Sequence, residues 1–381
     1  MHVRVGVIAG LSLLATTALA GASEIGASEI PRRPDGKPDL SGTYDLATLT
    51  PLARPPQVGD QASLSPEEAR AYAEHWNRNV AKDLEPSDPD RPAPAAGGVV
   101  FAIPEFDAAA GGVGAYNTFY LDLGDSTFEL DGRYPTSIIV DPPDGQLPPL
   151  TAEGAELFAE REAWRRENTG TAWWIDLEAG PYDDPELRPA AERCLLGFGS
   201  TAGPPTLPNY FYNNLKRIVQ TGDHVMILAE MIHDARIIRI IKEGHAEDGR
   251  AERAGAEHDP PEVRKWLGDS VGHWEGDTLV VETVHFRDSP SFSQGSRNMK
   301  VTERFSRIDG ETLLYEFTVD DPTIWTRPWS GRLPWPAVED RVYEYACHEG
   351  NYSFGGILRG ARQLEREARE AKAPGARGSR R

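Results

Sequence analysis

Apolar and polar residues alternate along much of the second half of the chain, with the period of two that is typical of a half-buried β-strand. Residues 216–220 and 224–229 flank Thr221-Gly222-Asp223, and residues 301–308 and 312–319 flank Asp309-Gly310. Short turns of this composition between alternating runs predict antiparallel hairpins. We predict further strands at residues 118–123, 136–140, 231–241, 272–275, 278–286 and 341–346.

Helices are predicted around this β-rich region. Ser65, Pro66 and Glu68 form the sequence signature of a capping box, which predicts a helix over residues 66–83. Other helices are predicted at residues 151–168, 259–267 and 358–372, and the polar residues 243–258 are predicted to form an insertion. Antiparallel strands with short turns indicate a barrel or a sandwich. We predict a mainly β fold, an antiparallel barrel of the lipocalin or calycin type with peripheral helices and long loops.

The N-terminus has the composition of an export signal. A basic start with Arg4 precedes an apolar run at residues 5–20, and small residues stand at Ala18, Ala20 and Ala22. The run is short for a membrane span, and a retained N-terminal anchor is the alternative. We therefore predict a signal peptide at residues 1–22, a spacer at 23–34, a single β-rich domain at 35–358 and a basic tail at 359–381. The expected location is periplasmic or secreted.

An export signal changes the expectation for the two cysteines, because the compartment outside the cytoplasm is oxidising. We predict a disulfide bond between Cys194 and Cys347. The alternative is a nucleophilic thiol with His348 as its base, but neighbouring residues on a strand point to opposite faces.

Charge and motif content exclude several functional classes. The chain has 40 Lys and Arg residues against 60 Asp and Glu residues, a net charge of −20, which disfavours nucleic acid as a partner. It contains no GxGxxG, P-loop, HExxH or CxxC pattern, so we predict no cofactor and no metal. The expected partner is a small aromatic molecule. No membrane contact is expected after signal cleavage. The sequence leaves open whether the chain forms a homodimer.

The densest group of polar residues within an apolar run lies in AEMIHDARIIRII and supplies the candidate catalytic residues Glu230, His233, Asp234 and Arg236. On a strand, Glu230, Asp234 and Arg236 would share one face and His233 would lie on the other. Apolar neighbours shift pKa values by removing water, which prepares a general base, and histidine titrates closest to neutral pH. The alternative is a structural Asp–Arg pair inside a barrel, with His233 hydrogen-bonded to the backbone.

Aromatic, amide and arginine side chains supply the candidate substrate-binding residues, because loops that carry such groups often recognise phenols or sugars. These residues are Tyr116, Asn117, Phe119, Tyr212, Asn214, Trp274, Trp325 and Arg327. Trp325, Arg327 and Trp329 have the spacing of one strand face, which predicts an arginine stacked between indoles. Each residue alone is also explained by packing, so the prediction depends on there being several.

Long motifs follow one another in the order DGKPDLSGTY, GAYNTFYLDLG, RYPTSIIVDPPDGQLPPLTAEG, AEMIHDARIIR, KWLGDSVGHWEGDTLVVETVHF, LLYEFTVDDPTIWTRPW and YEYACHEGNY. From residue 35 to residue 358 the chain resembles a broad family of exported bacterial proteins, most of which have no assigned function. The resemblance implies a cofactor-free lyase, since some relatives act on lignin-derived phenylpropanoid dimers and release formaldehyde. The chain departs from the family pattern at Thr43-Tyr44 and in the acidic insertion near Glu247.

Two functions are therefore predicted. In a lyase, His233 or Glu230 would take the proton of a primary hydroxyl, and a retro-aldol-like cleavage would expel formaldehyde while Arg236 or a tyrosine stabilises the developing charge. The alternative is a periplasmic binding protein of the lipocalin type, with aromatic residues lining the barrel. A glycoside hydrolase is a third class, but the sequence offers no carboxylate pair at a defined separation.

Overall fold

The computed structural model describes residues 29–83, 90, 122–163, 170–197, 202–209, 212–245, 251–254, 257–288, 290, 292 and 294–372. The predicted signal peptide and the end of the basic tail lie outside the described residues. So do Tyr116, Asn117 and Phe119 and most of the strand predicted at residues 118–123.

The described residues form fourteen strands and three helices. The strands are β1 (Gly42–Asp45), β2 (Ser63–Leu64), β3 (Tyr134–Pro135), β4 (Ile139–Asp141), β5 (Leu215–Gln220), β6 (His224–Ala229), β7 (Ala235–Ile240), β8 (Lys242–His245), β9 (Ala251–Ala254), β10 (Asp269–Glu275), β11 (Thr278–Val284), β12 (Lys300–Arg307), β13 (Thr312–Asp320) and β14 (Trp329–Val338). The helices are α1 (Pro66–Asp83), α2 (Ala152–Ala163) and α3 (Tyr352–Lys372).

Nine of the strands close into a barrel. Their order is β1, β5, β6, β7, β10, β11, β12, β13 and β14, and β14 pairs back with β1. Strands β7 and β10 run parallel, whereas the other neighbours in the ring are antiparallel. The predicted mainly β barrel is confirmed, but it is mixed rather than purely antiparallel. The reason is geometric: directions cannot alternate around a ring with an odd number of strands.

Side chains fill the interior of the barrel. Along β13 every second residue is buried, as the alternating sequence predicts. Tyr44, Phe305, Tyr315 and Trp335 meet inside, with ring centroids 4.9 Å apart for Tyr315 and Trp335 and 5.6 Å apart for Phe305 and Trp335. The interior is therefore a packed core, as in small barrels whose side chains fill the lumen.

The hairpins and the capped helix follow the prediction closely. Strands β5 and β6, and strands β12 and β13, pair across the predicted turns. At the start of α1 the Ser65 N–H donates to Glu68 Oε2 (2.7 Å) and the Glu68 N–H donates to Ser65 Oγ (3.2 Å), which is a reciprocal capping box. Helix α2 lies within the predicted range 151–168, and α3 covers the predicted range 358–372 but begins earlier, at Tyr352.

Three element predictions are wrong. Residues 231–233 form a 3₁₀ turn rather than the start of a strand, and β7 begins only at Ala235. Residues 341–346 form no strand but cross the end of the barrel as an irregular segment. The insertion predicted at residues 243–258 is not among these; it carries most of a two-stranded sheet, β8 with β9.

The third wrong element is the helix predicted at residues 259–267, where the chain forms turns. The buried carboxylate of Asp269 holds this segment, because it accepts hydrogen bonds from Lys265 Nζ (2.8 Å), the Asp259 N–H (3.1 Å) and Arg239 Nη2 (2.8 Å). Burial opposes ionisation of Asp269, but these donors hold its pKa well below the usual range. Tertiary ion pairs thus replace the hydrogen bonds of a helix.

The predicted disulfide bond is confirmed. Cys194 and Cys347 are joined, with their Cα atoms 5.8 Å apart. The bond connects the segment before β5 to the segment that precedes α3.

Replacing Gly154 in α2 with alanine is expected to lower the free energy of unfolding by roughly 1–3 kcal/mol. A Cβ atom at Gly154 would lie 2.4 Å from the carbonyl oxygen of Ile324, and backbone cannot move aside cheaply. Gly360→Ala in α3 is the matched control, because nothing lies within 4 Å of its added Cβ. It should raise stability by up to about 1 kcal/mol. Chemical denaturation measures both, and equal effects would contradict the packing of α2 on Ile324.

Candidate functional site

A cavity of about 910 Å³ lies at the end of the barrel where β1 and β6 end and β5 begins. We call it the end cavity. Its walls come from the loop before β5, the residue after β6, the irregular segment 340–347 and the first turns of α3. Because the interior of the barrel is filled, a ligand of useful size would bind at this end rather than in the lumen.

Backbone contacts bring the walls of the end cavity together. Asp45 pairs with Leu215 across β1 and β5, and the Glu230 N–H donates to the Leu215 carbonyl (3.0 Å). The Tyr343 N–H donates to Glu230 Oε1 (3.1 Å), which fixes this carboxylate and the crossing segment relative to each other. The bond from Cys347 to Cys194 pins the same segment.

One wall of the end cavity is aromatic. Tyr212 and Tyr345 stack with ring centroids 6.4 Å apart and an interplanar angle of 15°. Both pack against the cluster formed by the disulfide, Met231 and Ile232. Such a rigid aromatic surface can receive a planar ligand.

The polar part of the end cavity is acidic. Six carboxylate residues line it, namely Asp45, Asp122, Glu192, Glu230, Asp340 and Glu344. Glu192 is paired with Arg188, by two hydrogen bonds of 2.8 Å. The pKa of Asp122 is raised, first by loss of water around the carboxylate and then by the nearby charges of Asp45 and Glu230. A neutral or cationic ligand suits these walls better than an anion does.

Of the four predicted catalytic residues, only Glu230 lines the end cavity. It is 7% exposed, just past the end of β6. Asp234 is half-buried at the start of β7. His233 is exposed, with φ of +46°. The prediction that Glu230, Asp234 and Arg236 share one strand face is wrong, because residues 231–233 form a 3₁₀ turn. This turn buries Met231 and Ile232 and directs His233 outward.

Arg236, the fourth predicted residue, lies inside the barrel. Its Nη1 and Nη2 donate to the two oxygens of Glu303 on β12 (2.5 and 2.8 Å). The Tyr315 hydroxyl donates to the same carboxylate (2.8 Å) and accepts from the Thr206 N–H (2.8 Å). Burial raises the pKa of Tyr315 well above its usual value. Arg236 therefore belongs to a structural ion pair, although its partner is Glu303 and not the aspartate that the sequence suggested.

The predicted binding residues are dispersed. Tyr212 lines the end cavity, and the Asn214 side chain beneath it accepts from the Asn209 N–H (2.6 Å) and donates to the Asp122 carbonyl (2.6 Å). Trp274 lies on β10 beyond the level of Ile240, at the opposite end of the barrel. Its ring lies 5.7 Å from Lys37 Nζ.

Trp325 and Trp329 are core residues rather than parts of a ligand surface. They are buried and contact each other edge to face, with ring centroids 5.7 Å apart. Arg327 does not separate them; it pairs with Asp141 on the surface (2.6 Å). The spacing of Trp325 and Trp329 therefore reflects how the turn before β14 and β14 itself pack into the core.

Sequence reasoning missed Lys216. This residue is fully buried on the inward face of β5, between Tyr44 on β1 and Ala229 on β6. Within the described part of the chain its Nζ has no hydrogen-bond partner. Burial lowers the pKa of Lys216 to about 8, although Glu230, Asp234 and Asp45 oppose the shift. The sequence did carry a signal for this residue. Lys216 has the same strand parity as Ile218 and Gln220, so it belongs to the face of β5 that is buried.

The described residues show neither a candidate metal site nor a candidate membrane span. Among the described residues, no group of three or more His, Cys, Asp or Glu side chains is arranged to hold a metal ion. Within the same ranges, no helix combines the length and the apolar character that crossing a membrane requires.

The chain matches no model of a known protein family, and no curated protein is detectably similar to it in sequence.

Proposed function

We propose that this chain is an exported, cofactor-independent lyase that cleaves a carbon–carbon bond in the side chain of a small, lignin-derived aromatic compound and releases formaldehyde. One observation carries the proposal: the end cavity holds a buried carboxylate, Glu230, within the same walls as the stacked pair Tyr212 and Tyr345. The disulfide bond supports export, because such bonds persist in oxidising compartments.

The proposed chemistry assigns the general base to Glu230. Its carboxylate accepts the proton of a primary hydroxyl on the substrate, and the carbon–oxygen bond becomes the carbonyl of formaldehyde. The electron pair of the broken carbon–carbon bond passes to the neighbouring carbon of the side chain. A proton returned by a carboxylic acid completes the reaction. We assign this last role to Asp122, which lines the same cavity and whose pKa is raised.

The Glu230→Gln variant is expected to release formaldehyde about 10²- to 10⁴-fold more slowly than the wild type, because the amide cannot accept the proton. The amide keeps an oxygen that can accept the Tyr343 N–H, so the fold should be retained. A colorimetric formaldehyde assay with a hydroxymethyl-bearing phenylpropanoid dimer measures kcat.

Two variants control this experiment. Glu262→Gln removes an exposed carboxylate that does not line the end cavity and should leave the rate unchanged. His233→Gln tests the other candidate base and should also retain activity, since His233 is exposed and outside the cavity walls. Loss of activity in His233→Gln but not in Glu230→Gln would identify His233, and not Glu230, as the general base. No formaldehyde from the wild type would reject the lyase.

A second candidate is a periplasmic binding protein for a small aromatic or hydrophobic ligand. The stacked tyrosines favour it, because a rigid aromatic surface binds planar molecules without any chemistry. The ligand would occupy the end cavity and not the lumen of a lipocalin-like barrel. Quenching of tyrosine and tryptophan fluorescence by an aromatic ligand, with no aldehyde released, would favour binding over catalysis.

A further inference from the structure

We propose that Lys216 is a carbonyl-capturing amine, which takes a small aldehyde or ketone from the end cavity as a covalent iminium. This goes beyond the proposed function, in which no lysine takes part. The ligand class follows from the chemistry of a primary amine held near carboxylates and an aromatic wall.

The position of Lys216 is the first argument. Its neighbours in the sheet are Tyr44 and Ala229, and the residues next to these, Asp45 and Glu230, line the end cavity. Leu215, which precedes Lys216, lines the cavity as well. Lys216 itself does not line the cavity; it follows Leu215 on the inward face of β5, so its side chain enters the barrel next to the cavity wall.

The isolation of the amine is the second argument. Buried polar groups in folded proteins are almost always hydrogen-bonded, because an unpaired one costs free energy. Lys216 is fully buried, yet within the described part of the chain Nζ has neither a hydrogen-bond partner nor an ion pair shorter than 4.0 Å. A desolvated lysine of this kind is the usual form of a Schiff-base nucleophile.

The charges that face Lys216 are the third argument. They are Asp45 at the end of β1 and Glu230 and Asp234 on either side of the 3₁₀ turn. With its pKa lowered to about 8, about a tenth of the amine is neutral at pH 7, which is several hundred times the fraction of an ordinary lysine. The carboxylates can exchange the protons that iminium formation requires.

The proposed step is balanced by these groups. The lone pair of the neutral amine forms a bond to the carbonyl carbon while the carbon–oxygen π bond breaks, and a neighbouring carboxylate carries a proton from the nitrogen to the oxygen to give a carbinolamine. Nitrogen then expels this oxygen as water, with a proton delivered by a neighbouring carboxyl group, and a protonated iminium remains. Water reverses the sequence and returns the free amine and the carbonyl compound.

Reductive trapping tests the proposal. The mature, disulfide-bonded protein is incubated at pH 7 with benzaldehyde and sodium cyanoborohydride, which reduces the iminium to a stable secondary amine. Peptide mapping by mass spectrometry then gives the labelling rate at each lysine. Lys265 and Lys300 are internal references, because both are exposed and ion-paired. We expect Lys216 to be labelled at least about tenfold faster than either, since far more of its amine is neutral.

The pH profile provides a second readout. Labelling of Lys216 should level off above about pH 8, whereas labelling of Lys265 should keep rising, because its ion pairs with Asp259 and Asp269 raise its pKa despite partial burial. Lys216→Met should remove the fast site and leave the other peptides labelled as before. If this variant does not fold, the wild-type map alone decides the question.

Labelling of Lys216 at or below the rate of the surface lysines would overturn the proposal. This holds whether the aldehyde cannot reach the amine or the amine stays protonated. The result is independent of formaldehyde release. An iminium without carbon–carbon cleavage would reject the lyase alone, and cleavage without an iminium would reject only the role of Lys216.

Discussion

Replacing Arg236 with methionine is expected to lower the free energy of unfolding by about 3 to 5 kcal/mol, because the change leaves a buried carboxylate without its cation. Glu303 is fully buried in the barrel, and its two oxygens accept from the two terminal nitrogens of Arg236. The hydroxyl of Tyr315 donates to the same carboxylate but cannot neutralise its charge. Urea denaturation followed by tryptophan fluorescence measures the loss.

Two controls distinguish the stability lost by leaving a buried charge unpaired from the stability lost by removing any arginine side chain. Arg327→Met breaks an exposed pair with Asp141 and should cost less than about 1 kcal/mol. Combining Arg236→Met with Glu303→Leu should recover much of the stability, since neither charge is then left in the core. A single Arg236→Met variant that is as stable as Arg327→Met would show that water reaches Glu303.

Removing both cysteines is expected to lower the free energy of unfolding by about 3 to 5 kcal/mol. The bond joins residues 153 positions apart, so without it the unfolded chain gains the freedom of a long open loop. The Cys194→Ala/Cys347→Ala variant should match the reduced wild type in urea denaturation and should not respond to reductant. A wild type whose stability is unchanged by reduction would contradict this account.

The same variant connects the bond to the site. Cys347 lines the end cavity, and the segment around it carries Tyr345 and the N–H that holds Glu230. Loosening this segment should weaken binding of an aromatic ligand even at temperatures where the barrel stays folded. Fluorescence titration well below the melting temperature makes that comparison.

Local patterns predicted those parts of the fold that local interactions determine. The hairpins of β5 with β6 and of β12 with β13 follow from alternation and turn composition, and the start of α1 follows from the Ser65 and Glu68 cap. The run from Met231 has the same alternation as a strand, yet Ile232 adopts a φ of +61° there. What decides that turn is burial of Met231 and Ile232 against the disulfide, whose Cys347 lies more than a hundred positions away in sequence.

The site could be predicted only in part, for a similar reason. Glu230 and the disulfide were recognisable from residue type and compartment. The cavity itself arises because segment 340–347 crosses the barrel end, and no local signal in that segment predicts the crossing. The indoles of Trp325 and Trp329 resemble a ligand platform in sequence, but the distant side chain of Phe292 packs against both in the core.

The ring of strands has a consequence for the order in which the molecule can assemble. Tyr44 on β1 pairs with Lys216, about 170 residues later, and with Ala337, about 290 residues later. As synthesis proceeds from the N-terminus, β5 to β7 and β10 to β14 find neighbours soon after they emerge, whereas β1 meets β5 only after about 170 residues and its second neighbour, β14, after about 290. Until β14 arrives, the sheet has two open edges, which are sites for pairing with other molecules. The barrel is thus sealed last, by the two ring strands that lie farthest apart in sequence.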